Sequence, residues 1–306
     1  MSADKSWKEY TNGNVRVFIN TEDGTKIRTT MDDEFRAEFP ESIDMKITDH
    51  CKMGCRMCHE ESTENGKHAD LSDPNGTFLR TMRPYTEIAI GGGAPTSHPQ
   101  IEALLKYLKE KEILANITVH ERELLENLSR IDAWAKKDLV KGIGVSIHSK
   151  FDQRILDFAK KNRNAVLHVI AGLTPPEVIR SYEKKGLKLL ILGYKNQGRG
   201  ADYYAEHKDE IDGKIRAMEK DIGRLFEAFS VVSFDNLALR QLNIREHVSE
   251  DEWNACYQGS DATHTMYVDL VKKEFAATST SAERYEMKDT IDEMFAVVKG
   301  TMDHMI

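Results

Sequence analysis

Short apolar runs alternate with longer amphipathic ones through most of this chain, and that alternation leaves few folds open. Ser42–Thr48, Tyr85–Ile90, Asn116–Val119, Gly142–Ile147, Val166–Ile170, Leu187–Leu192 and Val231–Phe234 read as strands. Between them the spacing turns helical. Gln100–Lys111 sets Ile101, Leu104, Leu105 and Leu108 on one face, and Phe151–Lys161 does the same with Ile155, Leu156, Phe158 and Ala159. Strands rich in β-branched residues and separated by helices predict an α/β protein with a parallel sheet, since each crossover returns the chain to the same sheet end. Six or seven such units are too few for a closed eight-stranded barrel, and in barrel-like sheets the chemistry gathers at the C-terminal strand ends.

The flanks read differently. Asn14–Asn20 and Thr25–Thr30 surround Asp23-Gly24, a turn pair that predicts a hairpin outside the main core. Cys256–Leu270 followed by Lys272–Ala277 reads as a loop feeding a two-stranded ribbon. The expected division is an N-terminal hairpin extension over 1–40, a strand–helix unit over 41–235, and a C-terminal extension over 236–306 that contributes to the substrate site.

A chain of 306 residues with 40% hydrophobic content can bury one sizeable core. Its formal net charge of -8 argues against broad binding to phosphate backbones, while leaving a single nucleoside or nucleotide open. Met1–Trp7 has no apolar signal segment and no run approaches the roughly 18 apolar residues of a membrane helix, so a cytoplasmic location is expected. Four cysteines, three of them crowded together, do not make a disulfide framework.

Those three, Cys51, Cys55 and Cys58, lie in Cys-Lys-Met-Gly-Cys-Arg-Met-Cys, directly after the strand ending at Thr48. Thiolates are soft ligands for zinc or iron–sulfur clusters, and Gly54 frees the backbone to turn the sulfurs toward one centre. With His50 or His59 they would make a Cys3His zinc set, although no second short ligand pair of matching spacing follows. A four-iron cluster on three thiolates keeps one iron open.

Cys-x3-Cys-x2-Cys at the end of a first strand resembles the radical S-adenosylmethionine (radical SAM) superfamily. The resemblance implies a partial (β/α)6-type barrel, a 4Fe-4S cluster on Cys51, Cys55 and Cys58, and S-adenosylmethionine chelated at the open iron. It implies one-electron cleavage of the sulfonium to methionine and a 5'-deoxyadenosyl radical that takes hydrogen from a substrate. Ile90–Pro99 looks like the family's Gly-Gly-Glu-Pro segment, whose backbone approaches the amino group of the methionine moiety. Gly92 and Gly93 match, but Ala94 stands at the usual glutamate, leaving that amino group to backbone carbonyls. Met57 takes the place of an aromatic residue near the adenine.

Gly144–Ser149 resembles the fourth strand, offering Ser146 and His148 to the ribose or carboxylate. Val166–Gly172 resembles the fifth, with Ile170 and Gly172 at the adenine. Leu189–Gly200 resembles the sixth, with backbone groups of Gly193 and Tyr194 at the adenine edge and Lys195 and Arg199 for a substrate carboxylate or phosphate. Each has a plainer competing role. A glycine-rich turn, core packing or a structural histidine explains most of them, and helix capping explains Asp235 and Asn236. His120 and Glu121 close the third strand and are expected at the same cavity, unless Glu121 only charges a first helical turn.

The C-terminal part is weakly similar to phage-encoded radical SAM proteins of unassigned role. The chain lacks the extra cysteine-rich region of many peptide-modifying relatives, which favours a small polar substrate, a nucleoside or amino-acid-like metabolite. The alternatives are a peptide or protein residue and, from a different class, a non-catalytic iron–sulfur or zinc-binding regulator. A flavodoxin or ferredoxin electron donor is implied by the resemblance. Cys256 reads as a semi-buried cysteine or, alternatively, a second metal ligand or hydrogen donor.

Overall fold

The computed structural model describes residues 6–30, 32 and 35–302; Met1–Lys5, where the absence of a signal segment was read, lies outside the described residues. Among the described residues, no helix is long and apolar enough to cross a membrane. Strands β1 (Trp7–Asn12), β2 (Val15–Asn20) and β3 (Lys26–Thr29) form a small antiparallel sheet. A second sheet of ten strands runs β10-β9-β8-β7-β6-β5-β4-β11-β12-β13. Its members are β4 (Ser42–Thr48), β5 (Glu87–Gly92), β6 (Leu114–His120), β7 (Gly142–Ser146), β8 (Ala165–Ile170), β9 (Lys188–Leu192), β10 (Val231–Phe234), β11 (Thr265–Asp269), β12 (Glu274–Ala276) and β13 (Tyr285–Glu286). Pairing is parallel from β10 through β4 to β11, and antiparallel beyond.

From β5 onward the parallel crossovers are helical, whereas β4 reaches β5 through a loop and two short 3-10 turns, Pro74–Gly76 and Phe78–Thr81. The helices are α1 (Ile101–Glu110), α2 (Glu121–Lys136), α3 (Gln153–Lys161), α4 (Pro176–Ser181) and the α5 (Arg199–Lys220) and α6 (Ile222–Ala228) pair, followed by α7 (Asn236–Gln241), α8 (Glu250–Cys256) and α9 (Ile291–Met302). The expected faces are the buried ones: Ile101, Leu104, Leu105 and Leu108 on α1, Ile155, Leu156, Phe158 and Ala159 on α3. These residues join Ile43, Met45 and Ile47 of β4 in one continuous apolar core.

Two placements differ from the sequence reading. The C-terminal ribbon adds to the main sheet, because β11 pairs in parallel with β4 from Thr265↔Ser42 to Asp269↔Lys46. The N-terminal hairpin gains a third strand and is tied to the main sheet by charge. Glu41, 1% exposed, ion-pairs with Arg28 at 2.8 Å, while Lys26 pairs with Glu87 at 2.6 Å. Its apolar residues Val15, Val17 and Ile19 are buried apart from the main core.

Candidate active site

Beyond Thr48 the chain leaves the sheet in a loop that returns to it at Ala69, whose N–H donates to the Ile47 carbonyl at 2.9 Å. The two limbs are laced together: Asp49 N–H to Lys67 O, Thr63 N–H to Asp49 O, and Cys51 N–H to Thr63 O at 2.8 Å. Gly66 is required there, since a Cβ would fall 2.0 Å from the Asp49 carbonyl oxygen. The loop carries Cys51, Cys55 and Cys58, all three free and half-buried.

All three thiols line one cavity of about 400 Å³ at the C-terminal strand ends. Burial pushes the Cys51 and Cys55 thiols up, the neighbouring cysteines add to the rise, and Arg199 opposes it. Three free thiols lining one cavity, with the Met53 N–H donating to Cys51, are a donor set that fits a thiolate-held cluster. Among the described residues, no three His, Cys, Asp or Glu side chains gather closely enough to chelate a single ion, so the zinc alternative gains no support from the geometry.

Arg199 is not aimed at a ligand. It donates to the Cys55 carbonyl at 3.2 Å and the Ser62 carbonyl at 2.9 Å, bracing the cysteine loop from the start of α5. Gly92 and Gly93 brace it from the sheet: Gly93 N–H donates to Thr48 O at 2.7 Å and Ala94 N–H to His50 O at 2.8 Å. Side chains there would collide with backbone, 2.5 Å from Thr48 O at Gly92 and 2.3 Å from His50 O at Gly93.

Met57, Gly92, Gly93, Ser146, His148 and Ile170 line this cavity together with the thiols. Gly172, Gly193 and Tyr194 do not. Gly172 has φ +82° and lies against Ile211 of α5. The Gly193 N–H is taken by Asp235 at 2.9 Å and the Tyr194 N–H by Gln241 at 2.7 Å, so among the backbone groups expected at an adenine edge these two amides are committed within the protein. Asp235 also caps α7 through the Ala238 N–H, so capping is its role. Cys256 is exposed rather than semi-buried.

His120 caps α2 by accepting the Arg122 N–H at 3.1 Å and stacks on His148 with ring centroids 5.1 Å apart. Burial drives His120 down to about 4, with His148 and Arg122 adding to it, and burial lowers His148 against the pull of Glu121. Glu121 turns away to accept from both the N–H and hydroxyl of Ser149.

The far wall was not foreseen. Lys46, its side chain 3% exposed, ion-pairs with Asp49 at 2.6 Å, Glu60 at 2.7 Å and Asp269 at 3.2 Å, joining β4, the cysteine loop and β11. Burial alone would raise the Glu60 carboxyl, but hydrogen bonding and charge hold it well below the carboxylate range. His59, 3.3 Å from Glu60, and then Lys46 hold it there, while burial and Lys195 lower His59 itself. Lys195 donates to Ser279 at 2.9 Å and meets His59 at 3.2 Å, and the Tyr267 hydroxyl donates to Glu60. Asp44 is exposed into the chamber; the protein enclosing it raises its carboxyl, and Lys195 opposes the rise. Period-two alternation in Ile43-Asp-Met-Lys-Ile47 is the signal that points Asp44 and Lys46 off the core.

A second chamber of about 500 Å³ opens at the N-terminal strand ends beneath the β2–β3 turn, and His168 lines both. His168 is 9% exposed, its Nδ1 has no partner, and burial lowers it to about 4. Gly144 makes room for it: a Cβ there would fall 2.1 Å from His168 Cε1. Gly144→Ala should therefore cost about 1–3 kcal/mol in denaturant unfolding. Adding His168→Ala should recover most of that loss, and simple additivity of the two changes would refute the contact as its cause.

No protein-family model matches the chain, and no curated protein matches it in sequence. Solved structures do. SuiB of Streptococcus suis bound to S-adenosylmethionine superposes with a TM-score of 0.64 at 12% identity, covering 98% of this chain and 89% of that one. SuiB bound to its precursor peptide SuiA gives a TM-score of 0.62 at 12% identity over 95% and 88%. With a parallel sheet whose first strand delivers three thiols to one chamber, the chain has the fold of the radical SAM superfamily.

Proposed function

We propose that this chain is a radical SAM enzyme, with Cys51, Cys55 and Cys58 holding a 4Fe-4S cluster and the chamber beside them taking S-adenosylmethionine. The observation that carries the reading is the convergence of three free thiols on a cavity at the C-terminal ends of parallel strands. Loaded, the two groups supply a one-electron cleavage that yields methionine and a hydrogen-abstracting 5'-deoxyadenosyl radical, the electron coming from a flavodoxin- or ferredoxin-type donor. The protein positions and excludes water.

The same lining supports a partial barrel. Residues of β4 and β9 face one chamber although four strands separate them in the sheet. Laid flat, those strands would stand roughly 24 Å apart at about 4.8 Å per step, so curvature is what brings them together. A chamber of about 400 Å³ lies toward the small end of ligand sites and is largely taken by one S-adenosylmethionine. In this reading Met57, Gly92, Gly93, Ser146, His148 and Ile170 surround that molecule. The reacting part of the substrate is left the lumen toward Asp44 and His168, where the neutral imidazole offers hydrogen bonding without charge.

The little lumen left beside S-adenosylmethionine supports a small polar substrate. The SuiB structure with its precursor peptide supports the alternative, a residue within a peptide, and is the specific observation that keeps it beside the first. A short peptide encoded next to this chain that changes mass on incubation would decide for the second, and product found only in a metabolite for the first. The test of the class is anaerobic reconstitution with iron and sulfide, reduction with S-adenosylmethionine present, and chromatography for 5'-deoxyadenosine. Its formation is expected. A bound, reducible cluster that never cleaves S-adenosylmethionine, even with substrate supplied, would favour the regulator.

A further inference from the structure

Glu123 is a carboxylate buried beside the thiols with no cationic partner. It occupies the third position of α2, is 3% exposed, and lines the same chamber as Cys51 and the Gly91–Gly93 segment. Its Oε1 accepts the Thr96 N–H at 2.9 Å and the Thr96 hydroxyl at 2.6 Å, while Oε2 has only a long contact, 3.4 Å, from the His120 N–H. A carboxylate has about four lone-pair positions, so the Oε2 side keeps accepting capacity. Thr96 belongs to the turn Pro95–Ser97 that directly follows Ala94, so Glu123 stands against the segment whose own side chain at 94 is a methyl group. Ala94 is buried and its N–H is committed to His50.

A buried carboxylate is costly unless something donates to it. Burial raises the Glu123 carboxyl and the Thr96 hydrogen bonds pull it back. Two neutral donors on one oxygen and a capping-box contact on the other hold the side chain in place. They leave unexplained why an acid faces this chamber. The other acids along the chamber each have a cation beside them, Glu60 with Lys46 and Asp44 with Lys195. Glu123 has no such cation and lies near enough to Cys51 for its charge to push that thiol up.

We propose that Glu123 receives the α-amino group of S-adenosylmethionine, supplying from the first turn of α2 the acidic acceptor that Ala94 does not. The assignment rests on the reading of the chamber given above and makes Glu123 a specificity residue for ligands that bear an amino group at that carbon. Thr96 is its positioning residue, fixing Oε1 so that Oε2 is presented.

The test uses the reconstituted protein with its cluster and two probes, S-adenosylmethionine and the analogue lacking the α-amino group, with binding read by equilibrium dialysis. Glu123→Gln preserves the acceptor for Thr96 and removes the charge. It should weaken S-adenosylmethionine by roughly 10- to 100-fold, as for loss of a charge-assisted hydrogen bond, and leave the analogue and the iron content unchanged. Glu123→Asp, which keeps the charge and withdraws it by one methylene, should give a smaller loss with the same selectivity and serves if the glutamine variant does not fold. Equal weakening of both probes, or none, would overturn the assignment and leave Glu123 as a helix-capping acid. A wild-type protein that holds its cluster yet binds neither probe would overturn the parent reading, and the assignment with it.

Discussion

Replacing Cys55 with alanine is expected to abolish cluster binding and bring 5'-deoxyadenosine formation to background while the protein stays folded. The thiol is half-buried and makes no protein hydrogen bond that holds the loop; Arg199 grips the Cys55 carbonyl, which the substitution preserves. Removing the sulfur therefore leaves the brace between α5 and the loop intact, with a stability change below about 1 kcal/mol in the apo-protein. The effect on the cluster is far larger, because two thiolates cannot hold what three were arranged to hold. Iron analysis, the visible spectrum of the reconstituted protein and a thermal melt check the two halves separately. A well-folded Cys55→Ala protein that still cleaves S-adenosylmethionine would remove Cys55 from the ligand set.

Lys46→Met should destabilise the fold by about 3–5 kcal/mol, the cost of leaving buried carboxylates without their cation. Three acids meet at this ammonium: Asp49, Glu60 and Asp269. The pH dependence has a definite sign. Glu60 is held below its ordinary range, so its contribution is present above the unfolded carboxyl pKa and disappears as pH falls through the folded one. Burial alone would lower Lys46, but its acidic partners outweigh this and hold it above its ordinary range. Its contribution is therefore complete below the unfolded lysine pKa and lost only as pH rises through the folded one. Wild-type stability should be flat across neutral pH and fall steeply in acid, and Lys46→Met should shallow that acid limb. A variant with unchanged unfolding free energy at pH 7 would show that the cluster of charges contributes nothing net.

Much of the sheet was legible because its strands are short, β-branched and bounded by turns. The edges shifted where local geometry intervened: Tyr85 takes φ 67° in a turn, so β5 begins two residues later at Glu87. β1 escaped notice because Trp7-Lys-Glu-Tyr-Thr-Asn12 has no apolar face and buries only Asn12. At the site, the triplet was visible in its spacing and Gly92-Gly93 through the resemblance of their segment, and all of them line the chamber. The Lys46 network was not, since Asp269 reaches it across more than two hundred residues through β11, and no local pattern announces a pairing that distant. The partners of Gly193 and Tyr194 were hidden for the same reason. The two amides are satisfied by Asp235 and Gln241, forty residues and more away, which local sequence offers only as an ordinary helix cap and an ordinary helical glutamine.

The position of β11 sets an order of assembly. β4, which carries the cysteine loop at its end, is flanked by β5 on one side and on the other by a strand that begins only at Thr265. During synthesis the N-terminal half emerges first, yet one edge of β4 stays open and Lys46 lacks Asp269 until almost the whole chain is made. Closing a contact over that span is entropically slow compared with forming the neighbouring β/α units. The thiols thus spend the longest part of maturation in a half-walled loop, open to oxidants and to the wrong metal. On the proposed reading, iron and sulfide would be delivered after β11 has paired with β4 rather than before it.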